Sequence, residues 1–214
     1  GQADVRALDE HVLTGKGKLA DALVQLGYFS LDTEEAASLF AWMRGYNEIK
    51  KHKTKLRIVG LDVQRTATAA GNLWLFLDKV DRPFARTVES TLDRLRSNEL
   101  GAELKKRPRD EQDSMIKDTQ SIAEQIGKNA RKYAGRSSSA RQAEAHADAL
   151  ALVWAVRVAT DESLRGAAMA DVARRAIDAL PKKARAVVWA HNSQISRRKA
   201  DIGLGAGPAE IYTA

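Results

Sequence analysis

The 214-residue chain has no cysteine, few aromatic residues (6%) and no long apolar run. Each shortage closes a class of protein. Without cysteine there is no disulfide framework, thiol nucleophile, iron–sulfur cluster or cysteine zinc site, so a small stapled secreted fold is excluded. No stretch approaches the roughly 18 apolar residues that a membrane span needs. The opening Gly1-Gln2-Ala3-Asp4-Val5-Arg6 lacks both the basic flank and the apolar stretch of a signal peptide. No membrane partner is therefore expected, and the expected compartment is the cytoplasm. There is no Gly-x-Ser-x-Gly elbow for a serine nucleophile and no His-x-x-x-His for a zinc helix. No metal and no cofactor is expected.

What is present is charge and helical periodicity. Lysine and arginine outnumber aspartate and glutamate to give a net charge of +7, which raises the question of a polyanion partner. The cations cluster at Lys50, Lys51, Lys53, Lys55 and Arg57; at Lys105, Lys106, Arg107 and Arg109; at Lys182, Lys183 and Arg185; and at Arg197, Arg198 and Lys199. Two of the four clusters fall at the ends of predicted helices, where cations complement the C-terminal half-charge. No aromatic residues alternate with them as on a stacking platform for single strands. Nucleic acid is accordingly disfavoured as a partner.

Along the chain the spacing predicts helices over 18–26, ending at Gly27, and from Asp32 through Lys53, with Asp32 as N-cap and Glu35 at capping-box distance. Further helices are predicted over 70–80, 84–100, 110–133, 140–159 and 162–180, with Pro181 as the stop. Gly135-Arg136-Ser137-Ser138-Ser139 reads as the turn of a long helical hairpin. Two segments read as strands buried on both faces: Lys55 to Asp62, and Ala184 to Asn192. Helix–strand alternation of this kind predicts an α/β fold with a helix-rich, parallel-sheet core. Two strands cannot stand alone, so the sheet is expected to be incomplete here. The expectation is one domain over 1–214 with a helical insertion over 84–160, and no linker.

Ligand crevices of open α/β sheets lie beyond the carboxyl ends of the strands, which places Asp62, His191 and Asn192 as candidates. A histidine titrates near neutral pH and serves as acid or base, and an asparagine beside it can orient it or donate to an oxyanion. His11, His52 and His146 have no partners at metal-ligand or base spacing. Gly15-Lys16-Gly17-Lys18 lacks the strand and the Gly-Lys-Ser/Thr ending of a phosphate loop and reads as a turn. Trp42, Trp74, Trp154 and Trp189 lie on apolar stripes and are expected in the core.

Five motifs in register resemble the erythromycin esterase family. They are Trp42-Met43-Arg44-Gly45-Tyr46-Asn47-Glu48; Gly60-Leu61-Asp62-Val63-Gln64; Arg165-Gly166-Ala167-Ala168-Met169-Ala170; Trp189-Ala190-His191-Asn192-Ser193-Gln194; and Leu204-Gly205 through Ala209-Glu210-Ile211-Tyr212. The resemblance implies hydrolysis of a macrolide lactone or another ester, a small-molecule substrate, by activated water without a covalent serine. It carries catalytic roles to His191 and Arg165, and substrate-binding roles to Asp62, Asn192, Gln194 and Arg44. In that scheme a histidine and a glutamate activate water, while His191 and an arginine bind the developing oxyanion.

Three positions depart from the pattern. Gln194 stands where the family has a second histidine, Gly166 replaces an aspartate and Val172 an asparagine. The family's N-terminal G-E-x-x-H-G segment, which supplies the glutamate and the base histidine, does not occur in the sequence. The expectation is an incomplete or degenerate esterase-type domain. Alternatives are a non-catalytic binding or structural relative, and a basic nucleic-acid binder.

Overall fold

The computed structural model describes residues 1–28, 31–97 and 100–190. The chain divides into two compact units, Gly1–Gly60 and a second that begins at Leu61. The first contains helices α1 (Arg6–Thr14), α2 (Leu19–Leu26) and α3 (Glu34–Glu48). Glycine ends the first two. Gly15 and Gly27 adopt left-handed backbone (φ 75° and 63°), which costs a residue without Cβ nothing, and their N–H groups donate to carbonyls of the last turn. Helix α3 begins one residue later than the sequence pattern predicts. Thr33, not Asp32, is the N-cap, and its hydroxyl oxygen accepts from Ala36 N–H. Leu8, Val12, Leu23, Leu26, Ala36 and Phe40 form the core of this unit.

The second unit is a helical array of α4 (Ala67–Val80), α5 (Arg82–Arg94), α6 (Leu100–Lys105), α7 (Arg109–Lys128), α8 (Ala130–Arg136), α9 (Ser139–Thr160) and α10 (Arg165–Asp178). Helix α9 contacts α4, α6, α7, α8 and α10, which explains why its sequence is alanine- and valine-rich around much of its circumference. Helix α7 lays Met115, Ile122, Ala123 and Ile126 into the core, and Gly127 lets the His146 ring of α9 approach. The expected hairpin is present with an added break at Asn129, which separates α7 from α8. Asp81 joins α4 to α5 and accepts from Tyr133 Oη (2.8 Å) and Lys132 Nζ (3.1 Å), while Arg136 donates to the Val80 carbonyl. Helix α8 is thereby tied to the α4–α5 corner.

The predicted parallel-sheet α/β core is not present: among the described residues there are helices and irregular chain, with no strand. The segment 55–60 keeps the alternation in burial of a strand, but among the described residues nothing pairs with it as one. Side chains take the place of a neighbouring strand. Asn47 donates to the carbonyls of Val12 and Leu56 (both 3.0 Å) and accepts from Leu56 N–H (2.7 Å). Asp9 accepts from Ile58 N–H (2.8 Å) and, twice over, from the Arg57 guanidinium. A strand exists only as part of a hydrogen-bonded ladder, so an apolar run without a ladder partner is not one. The second predicted strand shows the same outcome as far as it is described, residues 184–190, with Val187 94% and Trp189 65% exposed.

Two of the tryptophans expected in the core are therefore exposed, Trp189 here and Trp42 on α3 (59%), whereas Trp74 and Trp154 are half-buried. Gly60 closes the first unit under close constraint. A Cβ at that position would stand 2.6 Å from the Gly1 carbonyl oxygen, a backbone atom that cannot swing aside as a side chain would.

Candidate active site

The site is built on the irregular segment that opens the second unit. Val63 points inward and packs with Ala155 and Val158 of α9 and Ala168 and Val172 of α10, leaving it 3% exposed. The alanines bring both helices close to the segment. Its neighbours Asp62 and Gln64 are turned the other way, out of the core. Asp62 meets Arg165, the first residue of α10, in a two-pronged ion pair: Nη2 to Oδ2 at 2.8 Å and Nε to Oδ1 at 3.4 Å. Asp62 Oδ1 also accepts from Val63 N–H at 2.8 Å. The 3₁₀ turn Glu162–Leu164 sets the start of α10, held by Asp161, whose Oδ1 accepts from the N–H and the hydroxyl of Ser163.

Residues 103 positions apart in sequence thus form a half-buried charge pair whose side chains are 20% and 31% exposed. A planar guanidinium held by one carboxylate keeps further N–H donors in a fixed orientation, the arrangement suited to receiving an oxyanion. Of the sequence-derived candidates the structure brings these two together. Arg44 has a different setting: in the first unit it donates from Nη1 to the Leu13 carbonyl at the end of α1 (3.1 Å) and pairs through Nη2 with Glu48 (2.9 Å). Its guanidinium also covers Gly15, where a Cβ would meet it at 3.0 Å. His191, Asn192 and Gln194 lie outside the described residues.

Two further features are not legible in the sequence. On the same pair of helices, Asp171 accepts from Trp154 Nε1 (2.7 Å), Arg174 (2.7 Å) and Arg175 (2.6 Å). Burial alone would raise its carboxyl, but the bonds from Trp154 and the two arginines outweigh burial and hold it below the ordinary aspartate range. The second feature is a cavity of about 140 Å³ beside Gln64, with Leu100 and Gly101 of α6 and Ala155, Val158 and Ala159 of α9 as walls. Lys105 and Glu162, 3.7 Å apart, also line it. The sequence carries no signal for it because its walls come from segments dozens of residues apart.

The other histidines have local partners. His52 Nδ1 lies 3.0 Å from the Tyr46 carbonyl and its ring stacks on Tyr46 at 3.9 Å, while His11 Nδ1 lies 3.1 Å from the Gly17 carbonyl. Among the described residues no group of histidine and carboxylate side chains is arranged to hold a metal ion. No described helix is long and apolar enough to cross a membrane. Several of the basic residues are engaged locally: Arg57 with Asp9, Lys55 with the last carbonyls of α3, Arg107 with Glu111 and Arg109 with Asp113.

The fold is that of solved structures of this type. The whole chain superposes on a protein from Bacillus cereus (TM-score 0.80, 20% identity) and on a succinoglycan biosynthesis protein (0.79, 20%), covering 53% of each. It also superposes on a histidine-to-asparagine mutant of the erythromycin esterase EreC in its open conformation (0.70, 16%), covering 57% of that chain. The chain therefore spans about half the length of these solved relatives. The sequence model of the family described as erythromycin esterase matches residues 1–209, and the chain belongs to that family. No curated protein matches the chain.

Proposed function

We propose that the chain carries the oxyanion-binding part of an ester- or lactone-hydrolysing site, with Arg165 and His191 as its catalytic residues. Family membership over residues 1–209 is the setting, and the Asp62–Arg165 pair is the observation that carries the reading. In the family's scheme water is activated by a histidine and a glutamate of a G-E-x-x-H-G segment, which does not occur in this sequence, and adds to the carbonyl carbon. The carbonyl π electrons move to oxygen, and Arg165 and His191 receive the oxyanion. Its collapse breaks the acyl C–O bond, and the departing alkoxide takes a proton to leave as alcohol. Asp62 aims the guanidinium and, with Asn192, Gln194 and Arg44, belongs to the substrate-binding group. A structural neighbour described as a succinoglycan biosynthesis protein is in keeping with substrates other than macrolides.

A panel of esters and lactones tests this, assayed with the wild-type chain and the Arg165→Ala and His191→Ala variants, each supplied with a family G-E-x-x-H-G segment, which this sequence does not contain. Loss of one oxyanion donor is expected to lower kcat by about 10²–10³. Turnover unchanged by both substitutions would remove these residues from the mechanism. The second reading, a non-catalytic binding relative, is favoured by Gly166 and by Val172, which is buried against Ala168 where the family pattern has an asparagine. It predicts no turnover of any panel member, with wild type and both variants alike.

A further inference from the structure

Arg165 owes its position to a short stretch of chain between two helices. Helix α9 ends at Thr160 and α10 begins at Arg165, so the residues between them decide where the guanidinium stands relative to Asp62. Helix α10 has no side-chain cap of its own, since Leu164 occupies its N-cap position and bonds nothing in the first turn. Asp161 holds the stretch instead. Its N–H donates to the Arg157 carbonyl (2.8 Å), which closes α9, and its own carbonyl accepts from Leu164 N–H (3.2 Å). Its Oδ1 accepts from the Ser163 N–H (3.1 Å) and hydroxyl (2.7 Å), and in the turn so formed Arg165 N–H donates to the Glu162 carbonyl. One turn of chain thus links the Asp161 carboxylate to the backbone of Arg165.

Two other contacts reach the same turn, and neither is directional. Lys105 lies 3.7 Å from Glu162 with both side chains over half exposed, an ion pair of the kind that contributes little in water. Leu164 packs against the apolar cluster around Val63, which presses the turn onto the core without orienting it. Orientation comes from hydrogen bonds. The bond from the Ser163 hydroxyl, followed by that from its N–H, holds the Asp161 carboxyl below the ordinary aspartate range, so the acceptor is charged at neutral pH.

We infer that Asp161 is a positioning residue: through the 3₁₀ turn it sets how Arg165 meets Asp62, and so where the remaining guanidinium N–H groups point. The turn and its bonds stand by themselves; the effect on catalysis rests on the proposed hydrolase function. A misplacement of 1 Å in such a group costs about 10²-fold in rate. Asp161 itself is exposed, where a substitution would ordinarily be inert.

The test compares Asp161→Ala, which removes the acceptor, with Asp161→Asn, which keeps an uncharged one, and with Glu162→Gln at the exposed neighbour. Side-chain NMR of the full chain follows the Arg165 Nε–H, assigned by its absence from Arg165→Lys. In Asp161→Ala its exchange with solvent is expected to accelerate at least tenfold, while amides in the middle of α9 keep their rates. Tm should fall by only about 2–4 °C, as for one lost cap. Asp161→Asn and Glu162→Gln are expected to match the wild type. Unchanged exchange in Asp161→Ala, or equal acceleration in either of the other two, overturns the inference.

Ester hydrolysis separates the inference from the hydrolase reading. With a family G-E-x-x-H-G segment supplied, Asp161→Ala is expected to lower kcat by about 10- to 10²-fold with KM little changed, and to have no effect in the Arg165→Ala background. Equal kcat in Asp161→Ala and wild type overturns the inference and leaves the hydrolase standing. If no form hydrolyses any ester yet Asp161→Ala frees the Arg165 Nε–H, the positioning of Arg165 stands and the hydrolase reading falls.

Discussion

Two apolar segments with the same sequence character meet different ends in this protein. Residues 55–60 are held on one edge by Asn47 and Asp9, which bond the backbone of Leu56 and Ile58. Residues 184–190 leave Val187 and Trp189 in solvent, and Ala184 N–H donates to the Pro181 carbonyl in a turn. Composition does not separate them. The difference is that the first is flanked in space by buried polar side chains with the right reach, and among the described residues the second is not. A run of β-branched and aliphatic residues states a preference for extended chain, and only a hydrogen-bonding neighbour turns that preference into fixed structure.

The comparison can be broken most directly at Asn47. Its amide satisfies three backbone groups from a buried position, so Asn47→Ala leaves them without partners and is expected to cost about 2–4 kcal/mol. The urea midpoint should fall with little change in slope. A loss under about 0.5 kcal/mol would show that the clamp is incidental, since that is the range of inert surface changes. Asp9→Ala removes one backbone bond and an ion pair whose arginine is over half exposed. Discounting the ion pair for solvent screening, the expected loss is about 1–2 kcal/mol. Amide exchange at Ile58 should accelerate in this variant more than at Leu56.

The second unit has a pH-dependent contact of its own. Burial against α7, followed by the charge of Arg175, holds the His146 imidazole below its ordinary value. The sign follows from proton counting. The folded state binds fewer protons than the unfolded one in this range, so stability is full above the unfolded value of about 6.5 and declines as pH falls towards the lower folded value. His146→Gln should flatten that part of the stability–pH curve, and an unaltered slope would assign it to other groups. The smallest effect is expected in the unclamped segment. Trp189→Ser should change the denaturation midpoint by no more than about 0.5 kcal/mol, as for a surface residue with few contacts.

Much of the helical architecture was legible before any coordinates. Gly27 stops α2 as its position indicates, and α4, α9 and α10 lie close to where periodicity puts them. These features are local: a cap, a 3.6-residue stripe, a left-handed glycine. The candidate site was legible in part. Asp62 and Arg165 were both singled out, but nothing in the sequence pairs them with each other. Their contact depends on how the Val63 segment lies against α9 and α10. The cavity walls have no signal in the sequence, since Gly101 and Ala159 share no motif. The predicted sheet is absent among the described residues because an apolar run is not sufficient for a strand.

The sequence by itself determined the helices, their stops, the exclusion of cysteine chemistry and the family, because caps, periodicity and motifs act over a few residues and survive without tertiary context. Tertiary structure alone decided which polar side chains bond the chain's own backbone and which keep part of their surface exposed. Asn47 and Asp9 were spent and the Arg165 guanidinium was left partly free, since burial and a partner's distance belong to the packed molecule.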